Sequence, residues 1–158
     1  NPVDPGEAGE VTITTLGVTG MPLVRFKTGD VVYHYDEPCR CGRNTVRVSS
    51  VVGRKKQMIK FKGTTLYPPA LFDILDNIPD VKNYVVEVFT HELGTDDVLV
   101  RVGTLTPGER FEKEIKDIFR AKVRVAPGVI FDTPENVSKI MFPPMSRKPV
   151  KFIDKRSH

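Results

Sequence analysis

Two stretches of helical apolar spacing, each set between strand-like segments, constrain the fold of this chain more than any other feature. Leu71, Ile74, Leu75 and Ile78 recur at the three- and four-residue intervals of one helix face, and Phe111, Ile115, Ile118 and Phe119 repeat the pattern further on. Pro68-Pro69 can open the first helix, where a missing N–H costs no hydrogen bond, and Pro79 stops it. Thr106 and Glu109 have the spacing of a capping box for the second, and Glu109–Lys113 and Glu112–Lys116 are favourably oriented pairs four residues apart. Ahead of the first helix, Met58–Phe61 and Thr64–Tyr67 flank Lys62-Gly63, which predicts a hairpin. Tyr84–Phe89 and Val98–Val102 read as strands joined through a turn at Gly94, and Val129–Asp132 as a closing strand. The resulting order, β-α-β-β-α-β, predicts a ferredoxin-like domain.

The first third differs. Residues 10–16 alternate with Val11 and Ile13 two apart, and Val31–Tyr35 and Val46–Val52 are two further short strands around a Cys39-Arg40-Cys41-Gly42 knuckle. So few apolar residues cannot bury a core, so this part is expected to pack on a larger partner. The pattern changes at about 52–56. The expected class is therefore α+β: a small β-rich N-terminal segment, residues 1–52, followed by a ferredoxin-like β-α-β-β-α-β domain, residues 53–158. The tail from Thr133, with four prolines, predicts an ordered loop and a short strand at Val150–Ile153. At 158 residues the chain is one domain, or one domain with part of another. The N-terminus has neither an initiating methionine nor the apolar stretch of a signal peptide, so a piece of a longer protein is expected. No run approaches the roughly 20 apolar residues of a membrane span. Two cysteines one residue apart make no ordinary staple, which favours a reducing, cytoplasmic setting. The net charge of +4 suits an anionic ligand.

Several residues could carry chemistry. Asp30, after Thr28-Gly29 and entering a strand, could accept hydrogen bonds from the vicinal hydroxyls of a ribose, or could simply cap its own turn. Arg54 follows Gly53 at the junction, and its guanidinium suits phosphate or ribose oxygens, as well as open solvent. Lys56 reads as a solvated charge. Gly63 supplies a positive φ in a turn or lets a ligand come close to the backbone. Lys148, in Met145-Ser146-Arg147-Lys148-Pro149, is either a basic tail or a group able to neutralise charge at a phosphate. Cys39 and Cys41 could give two thiolates to a structural zinc, with His34 a conceivable third ligand, or be idle thiols.

Four segments in one order give these residues a context. Arg25-Phe26-Lys27-Thr28-Gly29-Asp30 resembles the ribose-binding motif of the acyl-adenylate-forming superfamily, which includes acyl-CoA synthetases, luciferases and peptide-synthetase adenylation domains. Gly53-Arg54-Lys55-Lys56 through Gly63 resembles its hinge motif. Pro38-Cys39-Arg40-Cys41-Gly42-Arg43 and Lys148 through Arg156 are similar to the phenylacetate-CoA ligase branch. The resemblance implies the C-terminal part of an ATP-dependent acid–CoA ligase acting on phenylacetate or a related aryl acid. It forms an acyl-adenylate and then the CoA thioester, uses ATP with magnesium and CoA, and is inactive as this piece because the phosphate-binding half is absent. By position, Asp30 would bind ribose, Arg54 ribose or phosphate, Lys56 would be the hinge, Gly63 would line the pantetheine channel, and Lys148 would be the adenylation lysine. In these terms residues 1–52 are the tail of the large adenylation domain and residues 53–158 the lid. Lysine and glutamine stand at 56 and 57 where the hinge motif often carries acids. Arg147 stands where the family places glycine, which leaves Lys151 and Lys139 as alternatives to Lys148.

A second expectation is a free-standing ferredoxin-like module binding RNA or a small regulator. It has the charge, but no strand carries the basic-aromatic signature of base-stacking sheets. A third, a scaffold domain without ligand, is suggested only by the incomplete site.

Overall fold

The computed structural model describes residues 2–91 and 94–156. The backbone divides into two compact units, residues 1–58 and 59–158.

The first unit is built on an antiparallel sheet in which β1 (Ala8–Ile13) and β3 (Arg47–Val48) flank β2 (Phe26–Tyr35), while β4 (Gly53–Arg54) pairs with another part of β2. A short 3-10 turn, Lys55–Gln57, follows β4. The unit's buried apolar side chains among the described residues are Val31 and Val32, whereas Leu16, Met21 and Val24 are exposed. This sheet therefore has almost no core of its own.

Two features of β2 depart from the expected pattern. The strand begins at Phe26, so the segment around Asp30 lies within it instead of on a turn leading into it. Its register against β1 also jumps, with Glu10 opposite Val31 and Thr12 opposite Lys27. Residues 28–30 thus bulge opposite Val11 alone. Gly29 adopts φ +80°, a left-handed conformation that suits glycine at a bulge. Thr28 pins the bulge, its hydroxyl donating to the Val11 carbonyl at 3.2 Å and accepting from the Asp30 N–H at 3.1 Å.

The second unit contains the extended core. A β5–β6 hairpin (Ile59–Phe61 and Thr64–Leu66) leads into α1 (Pro68–Asp76), then β7 (Asn83–Thr90), β8 (Asp96–Gly103), α2 (Glu109–Val123) and β9 (Gly128–Asp132), followed by α3 (Pro134–Met141) and β10 (Phe152–Asp154). The fold is α+β, and the β-α-β-β-α-β order is present. The sheet, however, runs β10-β7-β8-β9, with β7 and β8 antiparallel and the two outer strands parallel to their neighbours. The hairpin forms a two-stranded ribbon of its own, and the fourth place in the sheet goes to a strand from the tail. Leu71, Ile74 and Leu75 from α1, Ile115 and Phe119 from α2, Val86, Val100 and Val102 from the sheet, and Ile59 and Phe61 from the hairpin form one cluster with almost no exposure.

Local details correct two further expectations. Helix α2 is preceded by Gly108, and Thr106 provides no cap; the Thr106 N–H is taken by the Thr104 hydroxyl at 3.2 Å, which draws the segment away from capping-box geometry. The tail expected as loop contains α3. Thr133 accepts from the Asn136 N–H and Pro134 occupies the first turn, so these residues start a helix. Val137 and Met141 of α3 pack on Val85 on the other face of the sheet.

Candidate functional site

Asp30 and Arg54 are brought together by strand pairing. They occupy directly opposed positions of β2 and β4, and Arg54 Nε lies 3.2 Å from Asp30 Oδ1. The carboxylate is 28% exposed and the guanidinium 67%, so the pair faces solvent with oxygens and N–H groups still available. An ion pair this exposed contributes on the order of 1 kcal/mol or less to stability. The bulge that re-aims Asp30 is thus a costly device for a salt bridge, but a reasonable one for presenting a carboxylate. Lys55, next to Arg54, reaches Glu10 Oε2 on β1 at 3.0 Å. Lys56 is exposed in the 3-10 turn that follows.

Cys39 and Cys41 lie on the turn between β2 and β3 with their sulfurs 3.0 Å apart. Cys41 is exposed and Cys39 half-buried. The contact from Cys41, with the nearby Arg47 charge, lowers the Cys39 thiol below its ordinary value. Two adjacent thiols, one of them made more acidic by its neighbours, fit half of a thiophilic metal site. His34 Nδ1 lies 3.2 Å from the Val3 carbonyl, and its Nε2 is buried without a hydrogen-bond partner among the described residues. No cluster of three or more potential metal ligands occurs among the described residues. Two further zinc ligands would have to come from outside these residues.

In the second unit, Gly63 occupies the hairpin turn. Lys62 and Gly63 have φ +47° and +79°, and Phe61 pairs with Thr64 across them. Two consecutive positive φ values mark a type I′ two-residue turn, whose twist matches that of the flanking strands. Gly63 lines an open depression with Thr65, Lys122 and Arg124.

Lys148 lies on a loop between α3 and β10. The Val150 N–H donates to the Met141 carbonyl at 2.7 Å and closes the loop at its base. Within it, the Ser146 hydroxyl donates to the Lys148 carbonyl at 2.6 Å. The Lys148 ammonium itself is exposed and has no hydrogen bond or ion pair among the described residues.

Lys151 is held quite differently. Its ammonium donates to Asp76 Oδ1 at 3.0 Å and to the Tyr84 hydroxyl at 2.9 Å, and it lies 4.5 Å from the Tyr84 ring centroid. Tyr84 in turn donates to Asp76 at 2.9 Å. Burial, then the hydrogen bond to Asp76 and the Asp76 charge, push the Tyr84 phenol up, so it stays protonated. Burial also raises Asp76, but the bonds from Lys151 and Tyr84 outweigh it and hold the carboxyl below its ordinary value. Of the two lysines, 151 fastens the chain and 148 is available to a ligand. The Asp76–Tyr84–Lys151 clasp was not foreseen from the sequence, because its members are far apart in the chain and meet only once β10 joins β7. Lys139, the other alternative, is exposed on α3.

Among the described residues no helix is long and apolar enough to cross a membrane.

The chain is 33% identical over 106 residues to the phenylacetate-coenzyme A ligase of Thermus thermophilus, a match covering 67% of this chain and 24% of that protein. It is 29% identical over 84 residues to the phenylacetate-coenzyme A ligase of Aromatoleum evansii, covering 52% of this chain and 18% of that one. The chain thus spans about a quarter or less of the curated relatives it matches. Among solved structures it resembles 2-hydroxyisobutyryl-CoA ligase in the post-adenylation state in complex with 2-HIB-AMP. The TM-score is 0.72 at 21% identity, over 97% of this chain and 33% of that one, a likeness of fold. No family profile matches the chain. These comparisons do not favour a free-standing RNA-binding module.

Proposed function

This chain belongs to the phenylacetate-CoA ligase family of acyl-adenylate-forming enzymes, and from that premise we propose that it is the C-terminal part of an ATP-dependent acid–CoA ligase. In the first half-reaction the acid's carboxylate attacks the α-phosphorus of ATP, forming the acyl-adenylate and releasing pyrophosphate. In the second, the CoA thiolate attacks the acyl carbonyl and AMP leaves. The acid is phenylacetate or a related aryl acid.

The observation that carries this reading is the Asp30–Arg54 pair, an exposed carboxylate and guanidinium 3.2 Å apart on adjoining strands. Asp30 accepts from the ribose hydroxyls, and Arg54 donates to ribose or phosphate oxygens. Lys148 provides positive charge at the α-phosphate as the pentacoordinate transition state forms; its exposed, unpaired ammonium supports this role over Lys151. Lys56, in the turn before the second unit begins, is the hinge between half-reactions, and Gly63 lines the channel for the pantetheine arm. Residues 1–52 then belong to the large adenylation domain and residues 53–158 to the lid. The remainder of a longer chain supplies the phosphate loop and the acid pocket.

Magnesium would reach the reaction on the nucleotide phosphates, shielding their charge, with its protein ligands outside the described residues. A zinc, where bound, would take the Cys39 and Cys41 thiolates and crosslink their turn to that remainder. The reading puts the enzyme in the cytoplasm, where thiols stay reduced.

Pyrophosphate release in the presence of ATP, phenylacetate and CoA tests the reading. The longer enzyme is expected to turn over and the 158-residue chain alone to be inactive. Robust turnover by the chain alone, or none by the longer enzyme with any aryl acid, would overturn it.

A further inference from the structure

The β5–β6 ribbon stands apart from the four-stranded sheet, although Ile59 and Phe61 sink into the core beside it. Apolar burial of that kind has no direction. A directional bond comes from Asp96, the first residue of β8, whose Oδ2 accepts from the Lys60 N–H at 2.6 Å. The same oxygen accepts from Arg156 Nη1 at 3.2 Å. Arg156 also grips Asp154 at the end of β10, Nε to Oδ1 at 2.8 Å and Nη2 to Oδ2 at 2.6 Å. One carboxylate oxygen thus joins two strands. The first, β5, follows the turn that holds Lys56; the second, β10, follows the loop that holds Lys148.

An exposed ion pair in this place would need no explanation. Asp96 and Arg156, however, are only 14% and 12% exposed. Shielded charges pay for their desolvation, and apolar side chains of similar size stabilise a fold as well or better. What the charged bonds add is direction. They also reach across the chain, since Lys60 and Arg156 lie 36 and 60 positions from Asp96.

Gly63 is reached from Lys56 directly along β5, whereas Lys148 is far along the chain and keeps its place relative to β5 through non-covalent ties. We propose that Asp96 is a positioning residue for the adenylation half-reaction, fixing β10, and with it the Lys148 loop, to the strand that leaves the hinge. Hinge rotation then delivers Lys148 to the α-phosphate in one orientation. This rests on the ligase reading and adds to it a residue outside the nucleotide site. Removing the Asp96 carboxylate loosens Lys148 but leaves Gly63 joined to the hinge by the backbone, so the two half-reactions respond differently.

Both half-reactions of the longer enzyme, measured with Asp96→Ala beside a thermal melt, test this. ATP–pyrophosphate exchange should fall about tenfold through kcat, less than the roughly hundredfold cost of a 1 Å misplacement. The KM for ATP should stay within about twofold, because Asp96 touches no substrate. Thioester formation from supplied acyl-adenylate and CoA should stay within about twofold, whereas a merely weakened fold slows both steps alike. Asp96→Asn keeps an acceptor for the Lys60 N–H without the charge, so the same split is expected at about threefold; this variant carries the comparison if Asp96→Ala melts below the assay temperature. In the 158-residue chain, NMR-detected hydrogen exchange at the Lys60 amide should quicken about tenfold in the variant. Equal loss in both half-reactions, undiminished ATP–pyrophosphate exchange, or an unaltered Lys60 amide would each overturn the assignment. No ATP–pyrophosphate exchange in the wild-type longer enzyme would instead remove the ligase reading, and this proposal with it.

Discussion

Asp30 and Arg54 face each other across adjoining antiparallel strands, carboxylate oxygen to guanidinium nitrogen at 3.2 Å, on a bulge that turns the aspartate toward solvent. Their exposure limits the pair's structural value to about 1 kcal/mol or less, so a large effect of mutation must come through a ligand. In the longer enzyme, Asp30→Ala should shift the melting temperature little while lowering kcat/KM for ATP by about tenfold or more, the cost of a lost charge-assisted contact. Steady-state kinetics beside a thermal melt would separate the two; parallel losses of stability and activity would make the pair structural.

Lys151 should behave as a fastener. Its ammonium bridges Asp76 and Tyr84, and its carbonyl accepts from the Val86 N–H at 2.9 Å. Lys151→Ala is expected to cost about 1–2 kcal/mol in urea unfolding and to slow both half-reactions alike. Lys148→Ala, at an exposed loop position, should change unfolding free energy by no more than about 0.5 kcal/mol.

Glu87 makes stability depend on pH. It is 3% exposed, yet Lys155 and Arg101 hydrogen-bond to it and hold its carboxyl below the ordinary value of 4.5 against the upward push of burial. Because the folded value lies below the unfolded one, the unfolded chain takes up the proton first as pH falls. Stability from this group is thus complete above pH 4.5 and declines below it until the folded carboxyl protonates too. Urea unfolding between pH 7 and pH 3.5 should show the loss. Glu87→Gln should cost about 2 kcal/mol at neutral pH and flatten the acid limb; an unchanged limb would remove Glu87 as its cause.

Gly63 isolates a backbone effect. A Cβ there meets no atom within 4 Å, so Gly63→Ala is penalised only by φ +79°. The expected cost is about 1–2 kcal/mol, a fall of roughly 5–10 °C in melting temperature for a unit this size. A melt unaffected by the change would mean that the turn relaxes to another type.

Where local signals were strong, the fold was legible in the sequence. The Lys62-Gly63 turn, the proline-led start of α1 and the apolar faces of both long helices are short-range features and reappear in the structure. What escaped depended on partners distant in the chain. The bulge that carries Asp30 exists only in relation to Val11 of β1, and the sheet order depends on β10 taking the edge beside β7. Helix α3 was a different kind of miss, because Thr133-Pro134 is a sound helix start that was outweighed by the prolines around it. For the candidate site, motif order picked out Asp30 and Arg54, and strand register explains why they meet. The clasp around Lys151 and the bonds to Asp96 had no sequence signal beyond their charges.

The central claim, that this lid provides the adenylation lysine and then yields the site to CoA, is tested most directly by measuring the two half-reactions separately in the longer enzyme with Lys148→Ala. ATP–pyrophosphate exchange should fall by at least about a hundredfold, the scale on which electrostatic transition-state groups act. Thioester formation from supplied phenylacetyl-adenylate and CoA should stay within a few-fold of wild type. Equal loss in both steps, or undiminished exchange, would contradict the account.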